Sequence, residues 1–181
     1  MPQTRQALSE GRIIEAAMAL LEERGVDGLT MRALSDRLGV ALGATYKHVP
    51  NKHELLKLVA RALYAEIGQV ECDGDGQAQA KAVMIEIRRV LGRYQGMAAY
   101  MGAHMSEFQS AAVVAMVMDP LRSMGLTAAE TEELVLTLVL FTAGHLLVDI
   151  GPAFEIEAAA AYEKGIDLLL VGALTLSSQH R

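Results

Sequence analysis

Residues Gly25 to Leu56 read GVDGLTMRALSDRLGVALGATYKHVPNKHELL, and short apolar-periodic pieces alternate there with punctuating residues. Thr30 is a good N-cap for a helix over Met31–Leu38, on which Leu34 and Leu38, four apart, share a face. Gly39 supplies the left-handed residue that ends a helix without a Cβ penalty. A second short helix fits Leu42–His48, and Val49-Pro50 stops it, because the residue before proline is driven out of the α region. Asn51 caps a third piece whose core face is Leu55, Leu56, Val59 and Leu63. Two short helices joined by a glycine-containing turn form the unit that lays its second helix in the major groove of DNA.

Charge agrees once it is divided along the chain. The net charge of −6 over 181 residues argues against a nucleic-acid partner only if it is spread evenly. Through Arg61 nine Lys/Arg stand against seven Asp/Glu, a net of +2, and the remainder carries −8. The positive region is therefore the one that holds the two short helices. Aromatic residues make up 4% and tryptophan is absent, which excludes a stacking platform for single strands. A single cysteine, Cys72, excludes an internal disulfide and fits a reducing cytoplasm, and MPQTRQALSE has no apolar leader segment. The apolar run Leu134–Ile150 is shorter than the roughly 20 residues of a membrane span. It also contains His145 and Asp149, so it reads as a buried or interface helix.

Beyond the acidic, glycine-rich stretch Glu71 to Gly76, helical periodicity continues and no run of strands is visible. Val83, Ile87, Val90, Leu91 and Tyr94 recur at helical spacing. Gly96 to Met105 reads as a short or irregular helix, and Val113, Val114, Val117 and Leu121 mark another, disturbed at Asp119-Pro120. Thr127 with Glu130 is a capping box for a long helix to Ile150, closed by Gly151-Pro152, and a last helix runs from about Ala153 to Leu176. In it Ala158, Gly165 and Gly172 recur every seven residues beside Ala161, Leu168 and Thr175, a small-residue row suited to close approach of a second helix, from the same subunit or another. The expected fold is all-α: a three-helix DNA-binding domain with a helix-turn-helix over residues 1–50, and a helical ligand-binding and dimerisation bundle over 51–181, linked by the helix from Asn51.

The first 60 or so residues resemble the DNA-binding domain of the TetR family of transcriptional regulators. GRIIEAAMALLEERGVDGLTMRALSDRLGV is similar to the family's first two helices, with Ile13, Ala17, Leu20 and Leu21 on one face. GATYKHVPNKHELL is similar to its recognition helix, turn and lysine-led fourth helix. Two departures stand out: Ala41 where a Ser or Thr cap is common, and Thr45 where a leucine is common, so that Thr45 faces either the groove or the core. The resemblance implies a homodimeric repressor on a palindromic operator in double-stranded DNA. It puts Gly43, Ala44, Thr45, Tyr46, Lys47 and His48 on the recognition helix, and Tyr46 and Lys52 on phosphates. Thr30 and Arg32, at the head of the preceding helix, are placed to grip the backbone. Arg5 in the N-terminal arm could enter a minor groove.

The resemblance also implies a small effector. Tyr94, Met101, His104 and Phe108 lie in the densest aromatic and methionine stretch, and Phe141 and His145 share a face of the long helix. Together they are the expected lining of a mostly apolar cavity, methionines being adaptable surfaces for irregular ligands. His104, Glu107 and His145 have no recognised metal-ligand spacing, so neither metal nor cofactor is expected. Two other readings stay open. One is a DNA-binding regulator without a small-molecule ligand. The other is a helical-bundle enzyme, for which the chain offers no nucleophile–base signature and no phosphate loop.

Overall fold

The computed structural model describes residues 8–70, 72–108, 111–147 and 157–179. Among these, every element is helical: α1 Glu10–Gly28, α2 Met31–Leu38, α3 Leu42–His48, α4 Lys52–Ile67, α5 Gly76–Gly92, α6 Met97–Ala103, α7 Met105–Phe108, α8 Ala111–Arg122, α9 Ala128–Leu147 and α10 Ala158–Gln179. Arg5, the Gly151-Pro152 stop and the expected beginning of the last helix near Ala153 lie outside the described residues.

Local signals position the first four helices. Thr30 accepts from the Ala33 amide at 3.1 Å and Asn51 from the Glu54 amide at 2.9 Å, while Gly39 closes α2 at φ 67°. Ile13, Ala17, Leu20 and Leu21 of α1 meet Leu34 of α2 and Leu55, Leu56, Val59 and Leu63 of α4 in one core. That core does not end with the small domain. It continues through Val90, Leu91, Tyr94, Met97, Met101 and Phe108, so the end of α5 and the α6–α7 pair pack directly on α1 and α4. A second core joins α5, α8, α9 and α10 through Met84, Leu121, Leu134, Leu138, Tyr162, Ile166 and Leu170.

The two parts meet at a backbone junction. Gly25 interrupts α1 with φ 64° and ψ −175°, a region essentially reserved for glycine, and a Cβ there would stand 2.9 Å from the Gln95 carbonyl oxygen. The turn this allows lets the Val26 N–H donate to Gln95 O at 2.9 Å, while the Lys52 ammonium donates to Val26 O at 2.6 Å.

Three helical expectations change in detail. Pro120 does not break its helix: α8 continues to Arg122, two residues beyond the proline. His104 separates α6 from α7, so the glycine- and methionine-rich stretch forms two short helices. Gly165 is explained inside the subunit, because a side chain there would run into the Phe141 ring, whereas Gly172 faces open space. The Thr127–Glu130 capping box forms in full, with Glu130 Oε2 accepting from the Thr127 amide at 2.7 Å and Thr127 Oγ1 accepting from the Glu130 amide at 3.3 Å. Among the described residues no helix is long and apolar enough to cross a membrane.

Candidate nucleic-acid interface and cavity

Helix α3 is seven residues long and has no side-chain N-cap bond, as expected from Ala41. It is held on α2 instead. Ser35 Oγ donates to Met31 O at 2.8 Å, which spends its one proton, so in the 2.7 Å contact between Ser35 and Thr45 the Thr45 hydroxyl is the donor. Thr45 is 0% exposed. This corrects its place among the groove-facing residues: of the two positions open to it, the side chain takes the core, and it cannot reach a base.

Pinning Thr45 inward turns the opposite face out. Leu42, Gly43, Tyr46 and Lys47, spaced by one, three and one residues, form an exposed stripe, with His48 exposed beside it and Ala44 half-buried. Tyr46 is 46% exposed, so its phenol is free to donate to a phosphate. The Thr30 hydroxyl oxygen caps Ala33 N, which leaves its proton to donate outward, and exposed Arg24 and Arg32 flank it in a shallow groove at the head of α2. Lys52 sits half-buried with one donor on Val26 O, so its ammonium ties α4 to the end of α1 and keeps two further N–H groups. Leu42 and Arg24 were missed in the sequence. An apolar residue in the first helical turn reads as core until the burial of Thr45 fixes the rotation of α3.

A half-open cavity of about 360 Å³ lies between α4–α9. Five methionines line it, Met84, Met101, Met105, Met116 and Met118, with Phe108 and the Val135, Val139, Leu146 face of α9. Its polar side chains are Tyr64 and Thr142. Burial pushes the Tyr64 phenol above its ordinary value, so it is a neutral donor. Thr142 is engaged with Leu138 O and with the Tyr162 hydroxyl, both at 2.8 Å, and Tyr162 also lies 3.0 Å from Met84 O. Only two hydroxyl protons are available to these three contacts, so at most two carry a proton at once, and both protons find an acceptor within the wall.

Of the six residues expected to line the cavity, Met101 and Phe108 do. Tyr94 does not: it is buried in the core shared with α1 and α4, with Arg93 over its ring at 5.3 Å. His104 is turned away, stacked on Tyr100 at 4.5 Å and facing His53 of α4 at 5.2 Å. Phe141 stacks on Tyr162 at 5.4 Å, and His145 lies 4.9 Å from the same ring. The reason is rotation of α9: Leu134, Leu138, Phe141 and His145 face α5 and α10, and the neighbouring stripe faces the cavity.

Helix α4 and the cavity wall are tied at His53. Its Nδ1 pairs with the Tyr100 hydroxyl at 2.6 Å and its Nε2 with Glu107 at 2.7 Å. The bond from His53 holds the Glu107 carboxyl below its ordinary value. This contact links α6 and α7 to the second residue of α4, one residue from Lys52. Glu66 of α4 adds a second tie, pairing with Arg89 of α5 at 2.9 Å and Arg93 at 2.6 Å.

Residues 13–59 match the model of bacterial regulatory proteins of the tetR family. The chain is 51% identical over 59 residues, 33% of this chain and 27% of the relative, to the class A tetracycline repressor protein from transposon 1721 in Escherichia coli. It is 29% identical over 177 residues to the Escherichia coli class C tetracycline repressor protein, covering 95% of this chain and 78% of the relative. A crystal structure of a TetR variant from Acinetobacter baumannii AYE in complex with minocycline superposes with a TM-score of 0.76 at 27% identity, over 94% of this chain and 95% of that one. Against four curated relatives the matched stretch spans between 27% and 49% of their length.

Proposed function

The chain belongs to the TetR family of bacterial regulatory proteins, and on that premise we propose that it is a homodimeric repressor that leaves a palindromic operator when a small, mostly apolar effector fills its cavity. The observation that carries the reading is the rotation of α3: Thr45 is locked inward on Ser35, and Tyr46 and Lys47 stand outward with Leu42. Lys47 and His48 are the base-reading candidates, and small Gly43 and Ala44 let the helix sink into the groove. Tyr46, Thr30, Arg32 and Lys52 hold phosphates and set register. The reading acts through DNA and has no catalytic step. A protein that works on operator DNA works in the cytoplasm.

The dimer is supported by an exposed apolar row. Leu136, Leu140 and Leu147 of α9 and Leu168, Val171 and Leu176 of α10 are all more than half exposed, and Leu140 and Leu168 reach 62%. A contiguous row of that kind needs a partner. A second copy supplies the two-fold symmetry that a palindrome demands.

The division we adopt gives residues 1–50 to DNA binding and 51–181 to sensing and dimerisation, with α4 between them. An effector that shifts α6 or α7 moves α4 through His53. It changes operator affinity only to the extent that it prefers the shifted state. Selection of duplexes from a random pool by the full chain tests the reading. The expected product is an inverted repeat whose half-sites lie about 34–36 Å apart. Enrichment of no sequence, or of an unrepeated single site, would overturn it.

A further inference from the structure

Among the described residues, Arg88 of α5 is a cation without a carboxylate or carbonyl acceptor. Its side chain is half-buried, and its Nε is buried with no hydrogen-bond partner. Its guanidinium carbon lies 5.3 Å from the centroid of the Tyr162 ring, against which Phe141 stacks on one side and His145 tilts at 4.9 Å. The neighbouring cations show what is missing. Arg89, exposed on the next face, bonds Glu86 and Glu66. Lys81, two turns earlier on the face that meets α10, pairs with Asp167 of α10 at 2.8 Å. Where Lys81 meets a carboxylate across this interface, Arg88 meets an aromatic face. A buried guanidinium N–H normally has a partner, and the guanidinium fork matches a carboxylate with two parallel bonds.

We propose that Arg88 is the docking point for a carboxylate at the junction of α5, α9 and α10, behind the cavity wall that Met84, Leu91 and Thr142 form. The position favours a small ligand, and in this the inference rests on the effector reading above. Met84, one turn before Arg88, and Leu91, one turn after, both line the cavity, as does Thr142, one turn before His145. A molecule with its apolar body among the methionines reaches Arg88 with a polar end. Burial, then the Arg88 charge, keeps the His145 imidazole neutral, so it can donate to the same carboxylate without competing for Arg88. The ligand class is therefore an apolar molecule that bears one carboxylate.

The test uses the full chain with decanoate and 1-decanol, each below its micellar concentration, in calorimetric titration. Decanoate should bind about tenfold or more tightly than the alcohol, the usual range for a hydrogen bond to a charged group. Arg88→Met should bring the acid down to the alcohol and leave the alcohol unchanged. Arg88→Lys keeps the charge without the fork, so part of the preference should survive; this variant carries the test if the methionine one does not fold. Equal binding of acid and alcohol to the unaltered chain overturns the Arg88 site and leaves the apolar cavity standing. So does an acid preference that survives Arg88→Met. Binding of neither probe overturns this site together with the apolar-effector reading.

Discussion

Thr45 and Lys47 stand two residues apart on α3 and have opposite duties. Replacing Thr45 by valine removes the bond to Ser35 and keeps the shape. We expect a loss of about 1 kcal/mol in denaturant-induced unfolding with the preferred operator unchanged. Lys47→Ala should leave unfolding untouched and relax the base preference at one position per half-site, read by selection of bound duplexes. A stable Thr45→Val protein with an altered operator would show that Thr45 reads DNA after all. His145 makes a pH prediction. Burial first, then Arg88, lowers its folded-state value below the unfolded 6.5. A lowered histidine contributes stability that is fully present above the unfolded value and is lost as pH falls from there through the folded one. Thermal unfolding of the native chain should therefore weaken below about pH 6.5 more steeply than that of His145→Gln. Parallel pH profiles would remove His145 from the account. Thr45 also shows a limit of sequence. A hydroxyl in a short amphipathic helix suits either the groove or the core, and only the partner Ser35, ten residues away, decides.

Helix boundaries were legible because their causes are local. Thr30, Asn51 and Thr127 bond amides three residues on, and Gly39 needs only its own φ. The orientation of α9 was not legible. Leu134 to Leu147 is apolar on nearly every side, so periodicity names no face, and packing against α5 and α10 chooses one. This misdirected Phe141 and His145 to the cavity and hid Val135, Val139 and Leu146. Met116 and Met118 escaped because the methionines around Met101 looked like the whole cluster. The break in α1 supplies the test at this level. Gly25→Ala would force a Cβ to within 2.9 Å of Gln95 O in a backbone region other residues avoid. The cost should be roughly 1–3 kcal/mol, measured by thermal unfolding. A neutral substitution would mean that the turn can be remade without the bond from Val26 to Gln95.

Taken whole, the described residues leave the outer faces of α9 and α10 exposed. Leu140→Glu with Leu168→Glu puts charge into that row without entering either core. The double variant should sediment as a monomer at micromolar concentration and keep its helical content. It should also lose most of its operator affinity, since one head then grips one half-site. A dimer that survives both charges would move the interface elsewhere. The all-helical architecture and the first 60 residues could be read from the sequence. The seam between head and body could not, because its apolar part joins residues far apart in the chain and its Val26–Gln95 bond is made by main-chain atoms.

That seam has an evolutionary consequence. Val26 offers its amide to Gln95 and its carbonyl to Lys52, so three of the four groups at the joint belong to the backbone and carry no side-chain identity. The side chains at positions 26 and 95 do not make these two bonds, although the Val26 side chain is itself held in the core. Side chains close the rest of the joint, through the core shared by α1 and α4 with Tyr94, Met97 and Met101 and through the ties of His53 and Glu66, so a head fits another sensor only where these contacts are matched as well as Gly25 and Lys52. Recombination that rewires which signal governs which gene therefore has to keep α4 with the α6–α7 pair it packs on, or refit the side chains between them.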